Sequence, residues 1–440
     1  MVLNRLDLRG VTDLSGRLPR PTVDGDGPMA SVRSILAAVR ERGDVAVREF
    51  TRDFDGVELA EVEVSAAELT EALEAIDPSV RAALELAAER IARHHRAQLR
   101  DEVVHDDDGV QIRSYLRPVD RVGCYVPGGR AAYPSTLLMT AVPAIVAGVP
   151  EVVVCVPPDR DTGRVSPVTL AAAAVAGVQH LYAVGGAQAI AAMAYGTASI
   201  PAVDVICGPG NKYVALAKQE VAGTVGVAAA FAGPSEVVVI ADDTVAPELA
   251  AIDVILQAEH GPDGLAWLIT WDEAVADSVS AHVEQLTAAS PRSAEIASTL
   301  AEGGYAVVVD SPAAAVEVAN LVAPEHLELL CADAASLVPS VRNAGAIFLG
   351  PWSPASVGDY LAGPSHVLPT YGTARFASAL TVDDFLKHHH VITVDRSVYA
   401  EGGSLADAVT TLAEAEGLEA HAESIRLRRR LLASDDAGAS

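Results

Sequence analysis

Residues 203–221 read VDVICGPGNKYVALAKQEV. Asp204–Cys207 is a short apolar run suited to a buried strand, Gly208-Pro209-Gly210 is a turn, and Asn211–Val221 has helical spacing of its apolar residues. The same succession recurs on both sides. Upstream, a strand at Gly123–Val126 runs into Pro127-Gly128-Gly129 and a helix at Pro134–Ala147, and Val152–Val156 follows as a continuous apolar strand. His180–Val184 closes on Gly185-Gly186 and a helix through Tyr195. Downstream of Gly233-Pro234 come a strand at Glu236–Ile240 and a helix at Pro247–His260, with Gly261 placed as its stop. Strands at Leu265–Thr270, Ala306–Val309, His326–Cys331 and Ala346–Leu349 complete the series. Strand, glycine turn and helix at this spacing predict parallel sheets wound with helices, so the fold class is α/β.

The organisation expected is a short N-terminal arm over 1–28, a main α/β domain from 29–124 and 233–381, a second unit over 125–232, and a small helical C-terminal domain over 382–440. Ser31–Asp53 and Ala66–Arg100 have helical periodicity and are assigned to the unit that begins at 233. Composition agrees: half of the 440 residues are hydrophobic but only 4% aromatic, which suits helices on β-branched strands better than an aromatic-rich sandwich.

The formal charge of −28, from 59 acidic against 31 basic residues, repels phosphate backbones and excludes general nucleic-acid or anionic-membrane binding as a first reading. The cysteines at 124, 155, 207 and 331 form no CxxC pair, and three lie in strand-like runs, so buried free thiols in a reducing cytosol are expected. Met1–Arg20 has no long apolar run and is not read as a signal peptide. A cytoplasmic protein is expected.

The glycine turns sit beyond strand ends, where helix N-termini offer N–H groups to anions. Gly208 and Gly210 begin a GxG, but Tyr213 stands where a dinucleotide fingerprint has its third glycine. These turns suit either a phosphate-bearing cofactor or plain chain reversal. Gln257 and His260, three apart on a helix, share a face and suit one metal ion or a favourable helix dipole. Glu325-His326 opens a strand, where both side chains reach one substrate only if that start is irregular; otherwise they are a surface pair. Residues 350–372 form a long Gly/Pro/Ser loop with Asp359 and His366, a length that marks function or disorder, and Trp352 and Tyr360 argue against disorder. His388-His389-His390 and His94-His95 are read as solvent-facing.

Nine stretches in order, GCYVPGGRAAYPSTLLM, GGAQAIAAMAYGT, VDVICGPGNKYV, AGPSEVVVIAD, QAEHG, APEHLEL, GAIFLGPWSPASVGDY, SHVLPTYG and EGLEAH, resemble histidinol dehydrogenase from about residue 30 to 430. The resemblance implies two incomplete Rossmann-like domains and the oxidation of L-histidinol to L-histidine through L-histidinaldehyde, with zinc and two NAD⁺. It implies zinc ligands Gln257, His260, Asp359 and His421, and catalytic Glu325 and His326. Substrate contacts would be Ser235, Glu416, His326 and those zinc ligands, with His366 a further candidate. NAD contacts would be Tyr125, Gln188 and Asn211. It further implies a homodimer with swapped tails, so that Glu416 and His421 act in the partner's site.

An imidazole near its ordinary pKa suits His326 as base for the alcohol, and Glu325 suits activation of the water that adds to the aldehyde. A cysteine thiohemiacetal route finds no cysteine placed as nucleophile in these motifs. Two stretches depart from the family pattern: Ala229-Ala230-Phe231 and Ser365, which put local packing and loop hydrogen bonds in doubt. A two-domain binding protein and a zinc hydrolase are the competing readings.

Overall fold

The computed structural model describes residues 3–14, 16–19, 26–128, 131–228, 235–259, 261, 264–400 and 402–438. In chain order the elements begin β1 (Asn4–Asp7), α1 (Asp26–Arg42), α2 (Asp44–Phe50), β2 (Glu63–Val64), α3 (Ala66–Ala75), α4 (Pro78–Arg96), β3 (Val103–Asp107) and β4 (Val110–Pro118). Then come β5 (Arg121–Tyr125), α5 (Pro134–Val146), β6 (Glu151–Cys155), α6 (Pro167–Ala176), β7 (His180–Tyr182), α7 (Gly186–Tyr195), β8 (Val205–Cys207), α8 (Lys212–Val221) and β9 (Gly226–Val227). They continue with β10 (Glu236–Ala241), α9 (Pro247–Ala258), β11 (Leu265–Thr270), α10 (Glu273–Ala289), α11 (Ser293–Gly303), β12 (Gly304–Val308), α12 (Pro312–Val322) and β13 (His326–Leu330). Last are α13 (Ala334–Leu337), β14 (Ala346–Leu349), α14 (Ala355–Tyr360), β15 (Leu386–Val394), α15 (Ser404–Ala415) and α16 (Glu419–Gly438).

The chain forms two compact units, Met1–Leu99 with Val119–Phe385, and Arg100–Pro118 with Leu386–Ser440. The first holds two six-stranded sheets, ordered β2-β7-β6-β5-β8-β9 and β1-β12-β11-β10-β13-β14. The second of these is parallel throughout; the first is parallel except for β2, which runs antiparallel to β7. Each sheet grows outward from a central strand and then reverses, between β5 and β8 in one and β10 and β13 in the other, giving each a topological switch point.

β10 and β11 are buried at every position, which requires cover on both faces. Val237, Val239 and Ala241 pack with Ala250, Val254 and Ile255 of α9, while Val238 and Ile240 pack with Ala315 and Val318 of α12. The two-residue alternation of a strand thus assigns each side chain to one helical layer.

Two expectations change. Val32, Ile35, Leu36 and Val39 of α1, with Ala46 and Val47 of α2, share one core with Ala187, Ile190 and Ala191 of α7. The N-terminal helices therefore cover the 125–232 sheet, not the unit beginning at 233; an apolar stripe dictates burial but not the surface that buries it. The arm carries β1, which pairs in parallel with β12, Asn4 opposite Tyr305.

The second unit contains α15 and α16 together with an antiparallel sheet, β15-β4-β3. β3 and β4 turn at Asp108 and Gly109, with φ of 45° and 79°, the left-handed pair that an Asp-Gly hairpin uses. His388, His389 and His390 lie exposed on β15.

Gly208 ends β8 with φ +102°, and a Cβ there would lie 2.0 Å from the carbonyl oxygen of Tyr125. No flexible side chain can yield to relieve that contact. Gly208→Ala is expected to cost roughly 3 kcal/mol of stability in urea denaturation. A loss below about 1 kcal/mol would mean that the backbone of this turn yields easily.

Candidate functional site

The parallel pairing of β10 with β13 sets Val237 opposite His326, so the first turn of β13 lies beside the start of β10. The backbone N–H of Glu236 donates to Glu325 Oε2 at 3.0 Å, and the carbonyl of Glu236 lies 3.3 Å from His326 Nδ1. The chain reaches β13 through Ala323, whose φ of +49° is left-handed. This irregular start brings the two adjacent side chains together: Glu325 Oε2 is 3.6 Å from His326 Nδ1. Both are buried, at 7% and 3% exposure, so the surface-pair alternative is excluded.

Two further elements close on the imidazole. Gln257, on the last turn of α9 and 1% exposed, places its amide nitrogen 3.3 Å from Nδ1, and its Oε1 is buried without a hydrogen-bond partner among the described residues. Asp359, on α14, places Oδ1 3.3 Å from Nε2. His366 fixes that helix, with Nδ1 2.9 Å from the Asp359 carbonyl and Nε2 3.0 Å from Thr136 Oγ1 on α5. Ser365 donates to the Met139 carbonyl at 2.9 Å and accepts from Val367 N–H at 3.2 Å, so this departure from the family pattern supplies its own loop bonds.

Burial pushes the Glu325 carboxyl up to about 7. Burial works against the His326 cation, but the carboxylates of Glu325 and Asp359 outweigh it and raise the imidazole to about 9. The sequence reading placed this histidine near its ordinary value; the two flanking carboxylates hold it protonated instead. A neutral-range carboxyl beside an imidazolium can pass a proton in either direction at neutral pH.

Among the NAD candidates, Tyr125 is buried and its hydroxyl accepts from Gly186 N–H at 3.1 Å, joining the first glycine turn to the second. Gln188 is 1% exposed, and both polar atoms of its amide are buried with no hydrogen-bond partner among the described residues. Asn211 caps α8, accepting from Tyr213 N–H at 3.0 Å and Val214 N–H at 3.2 Å. Lys218, which the sequence reading passed over, runs back along α8 and donates from Nζ to the Gly208 carbonyl, 1% exposed. A lysine seven residues into a helix that starts at a glycine turn is the available signal.

Ser235 immediately precedes β10, and its carbonyl accepts from Leu265 N–H. Glu416 and His421 belong to the second unit and are exposed there, at the end of α15 and on the first turn of α16. His260 and the stretch Ala229-Ala230-Phe231 lie outside the described residues. The solvent-facing reading of His94-His95 fails for His95, which is fully buried with Nδ1 2.8 Å from the Ile91 carbonyl. All four cysteines are free and buried, as expected; Cys124 and Cys207 are neighbours across β5 and β8 with their sulfurs 3.7 Å apart.

Fold and site together define an α/β enzyme with a buried carboxyl–imidazole pair at the amino edge of one parallel sheet and glycine turns at the carboxyl edge of another. The sequence matches the histidinol dehydrogenase family model over residues 18–429. It is 51% identical over 406 residues to the histidinol dehydrogenase of a Synechococcus species, covering 92% of each chain. It is 49% identical over 417 residues to that of Moorella thermoacetica, covering 94% of this chain and 96% of the other. The crystal structure of histidinol dehydrogenase from Elizabethkingia anophelis superposes with a TM-score of 0.93 at 33% identity, covering 98% of this chain and 99% of that one. The chain belongs to the histidinol dehydrogenase family, oxidoreductases of histidine biosynthesis. No helix among the described residues is long and apolar enough to cross a membrane.

Burial lowers the Lys218 ammonium from 10.5 to about 8. Between those values the unfolded chain binds more protons than the folded one, so stability rises as pH is raised through this window. The gain is expected to be about 3 kcal/mol, read by denaturant titration at pH 8 and pH 10.5, and to vanish in Lys218→Met. An equal rise in the variant would assign it to other groups.

Proposed function

We propose that this chain oxidises L-histidinol to L-histidine by way of L-histidinaldehyde, with zinc and two molecules of NAD⁺, as a cytoplasmic homodimer. The observation that supports this most is the convergence of Gln257, Asp359 and Glu325 on the single imidazole of His326. The buried, unpartnered Oε1 of Gln257 and the nearby carboxylate of Asp359 are oxygen donors suited to a borderline divalent ion. With His260, and His421 from a second copy, they would hold zinc. When bound, zinc would act as a Lewis acid that retains the imidazole and amine of histidinol.

The protein's own groups carry the proton transfers. With Asp359 engaged as a ligand, one of the two carboxylates that hold His326 protonated is withdrawn; the imidazole then gives up its Nε2 proton, and the freed Nε2 is the atom that takes the hydroxyl proton as the carbinol carbon gives hydride to NAD⁺. Glu325, raised into the neutral range, then takes a proton from the water that adds to the aldehyde. Both groups come from one strand start and are buried, which keeps the aldehyde bound between the two oxidations. Ser235, Gln257, His260, His326 and Asp359 line the substrate, with Glu416 and His421 from the second copy. The exposure of the last two in the second unit supports that sharing. Tyr125, Gln188 and Asn211 face the dinucleotide, and the unpartnered amide of Gln188 is the strongest support for that placement.

The direct test is NADH formed per L-histidinol consumed, followed at 340 nm with and without a chelator. Two NADH per substrate, lost on chelation and restored by zinc, is the expected result. No NADH in the presence of metal would move the binding-protein reading to the front, and amide cleavage without nicotinamide would favour a zinc hydrolase.

Replacing the two acid–base residues should separate their roles. His326→Asn is expected to slow both hydride transfers, by about 10²–10⁴-fold, whereas Glu325→Gln stalls the aldehyde stage alone. Single-turnover kinetics read the difference, and normal two-step turnover in Glu325→Gln would remove the role assigned to it.

A further inference from the structure

Below the Gln257–His326 contact lies a second polar pair that the chemistry above does not use. Glu328 is two residues beyond His326 on β13 and so projects from the same face; it is fully buried. Asp253 is one helical turn before Gln257 on α9 and is also buried. The two carboxyls are hydrogen-bonding neighbours. Glu328 Oε1 accepts from the N–H of Ala355 at 3.0 Å, whereas no N–H or O–H group of the described residues reaches Oε2. Two carboxyls facing each other without a donor can hydrogen-bond only if they hold a proton between them, and burial raises both to keep it.

Ala355 is the first residue of α14, the helix that carries Asp359. The residue before it, Pro354, makes no side-chain capping bond. The helix is therefore capped from a distance by Glu328 of β13.

We propose that the Asp253–Glu328 pair is a positioning device for the site above it, in which Glu328 anchors the start of α14 and thereby sets Asp359 against His326. The proposal rests on the reading of Asp359 as a member of the reacting site. Asp253, accepting the proton that Glu328 carries, keeps the Glu328 side chain aimed at Ala355, and the pair joins α9, β13 and α14, the three elements that supply Gln257, His326 and Asp359. Neither residue touches the substrate; both act through the helix.

The test compares Glu328→Gln with the double variant Asp253→Val/Glu328→Leu in the full-length chain. Glutamine keeps an acceptor for Ala355 and a donor for Asp253, so it is expected to retain parent-like kcat and substrate KM. The double variant replaces both buried carboxyls by apolar groups, a change that typically leaves a fold as stable or more so. Its thermal unfolding is expected to match or exceed that of the parent. The amides of residues 353–360 should nonetheless exchange faster by mass spectrometry, and kcat/KM for histidinol should fall by about 10–100-fold with KM for NAD⁺ unchanged. Should the double variant fail to fold, Glu328→Met removes the acceptor by one substitution. Parent-like exchange and kcat/KM in the acceptor-free variant would overturn the proposal, as would Glu328→Gln failing as badly as that variant. A parent protein that forms no NADH would instead sink the dehydrogenase reading, and the exchange measurement would still judge the anchor.

Discussion

The site depends on one backbone register. Setting Val237 against His326 places both main-chain polar groups of Glu236 within reach of the Glu325–His326 pair, the N–H for the carboxylate and the carbonyl for the imidazole. Buried charges are tolerated only where they are paired and hydrogen-bonded. Here the start of a neighbouring strand meets part of that requirement without spending a side chain. A shift of one residue would turn His326 to the α12 face of the sheet, where Leu327 and Leu329 now pack.

The two sheets of the first unit share a strand order but use opposite ends. In the β5–β9 sheet the glycine turns follow the strands and lead into α7 and α8, so free N–H groups and the positive ends of helix dipoles gather there. That end suits an anion. In the β10–β14 sheet the site sits before the strands, where α9 terminates and Gln257 lies on its last turn. The negative end of that dipole suits a cation, an imidazolium or a metal alike. A phosphate-bearing ligand and a cationic centre are thus each matched to the helix ends available, on a single backbone plan used twice.

Much of this was legible in the sequence because the signals are local. Apolar runs, glycine turns and the Gly261 stop predict strands β5–β8 and β10–β14 and helices α5 and α7–α9, and the ordered motifs led to the family. What escaped depends on distant residues. The stripe Val32, Ile35, Leu36, Val39 declares itself buried, but the small residues of α7 that receive it lie some 150 positions away. The hairpin of β3 and β4 has a usable signal, Asp108-Gly109 between alternating runs, in a stretch between the Ala66–Arg100 periodicity and the Gly123 strand to which no element is assigned from sequence. The convergence of Glu325 and His326 turns on the left-handed backbone of Ala323, a non-glycine residue that nothing in the sequence flags. Asn211 shows the reverse case: a residue that the family motif marks for the cofactor also caps a helix.

Depth in the protein orders the polar groups by role. Exposed ion pairs such as Arg426 with Glu419 contribute little individually in water. At the site, Glu325 and His326 are buried enough to have shifted proton affinities, while Asp359 retains 19% side-chain exposure. One layer deeper, Glu328 has no solvent exposure at all, and a carboxylate there would be costly unless it shared a proton. The deeper a carboxyl lies, the more firmly it is held neutral and the less able it is to exchange protons with a substrate. That gradient separates the two layers: Glu325 remains near the range in which a proton can be gained or lost, whereas Glu328 is fixed in one state and is fitted to hold a helix in place.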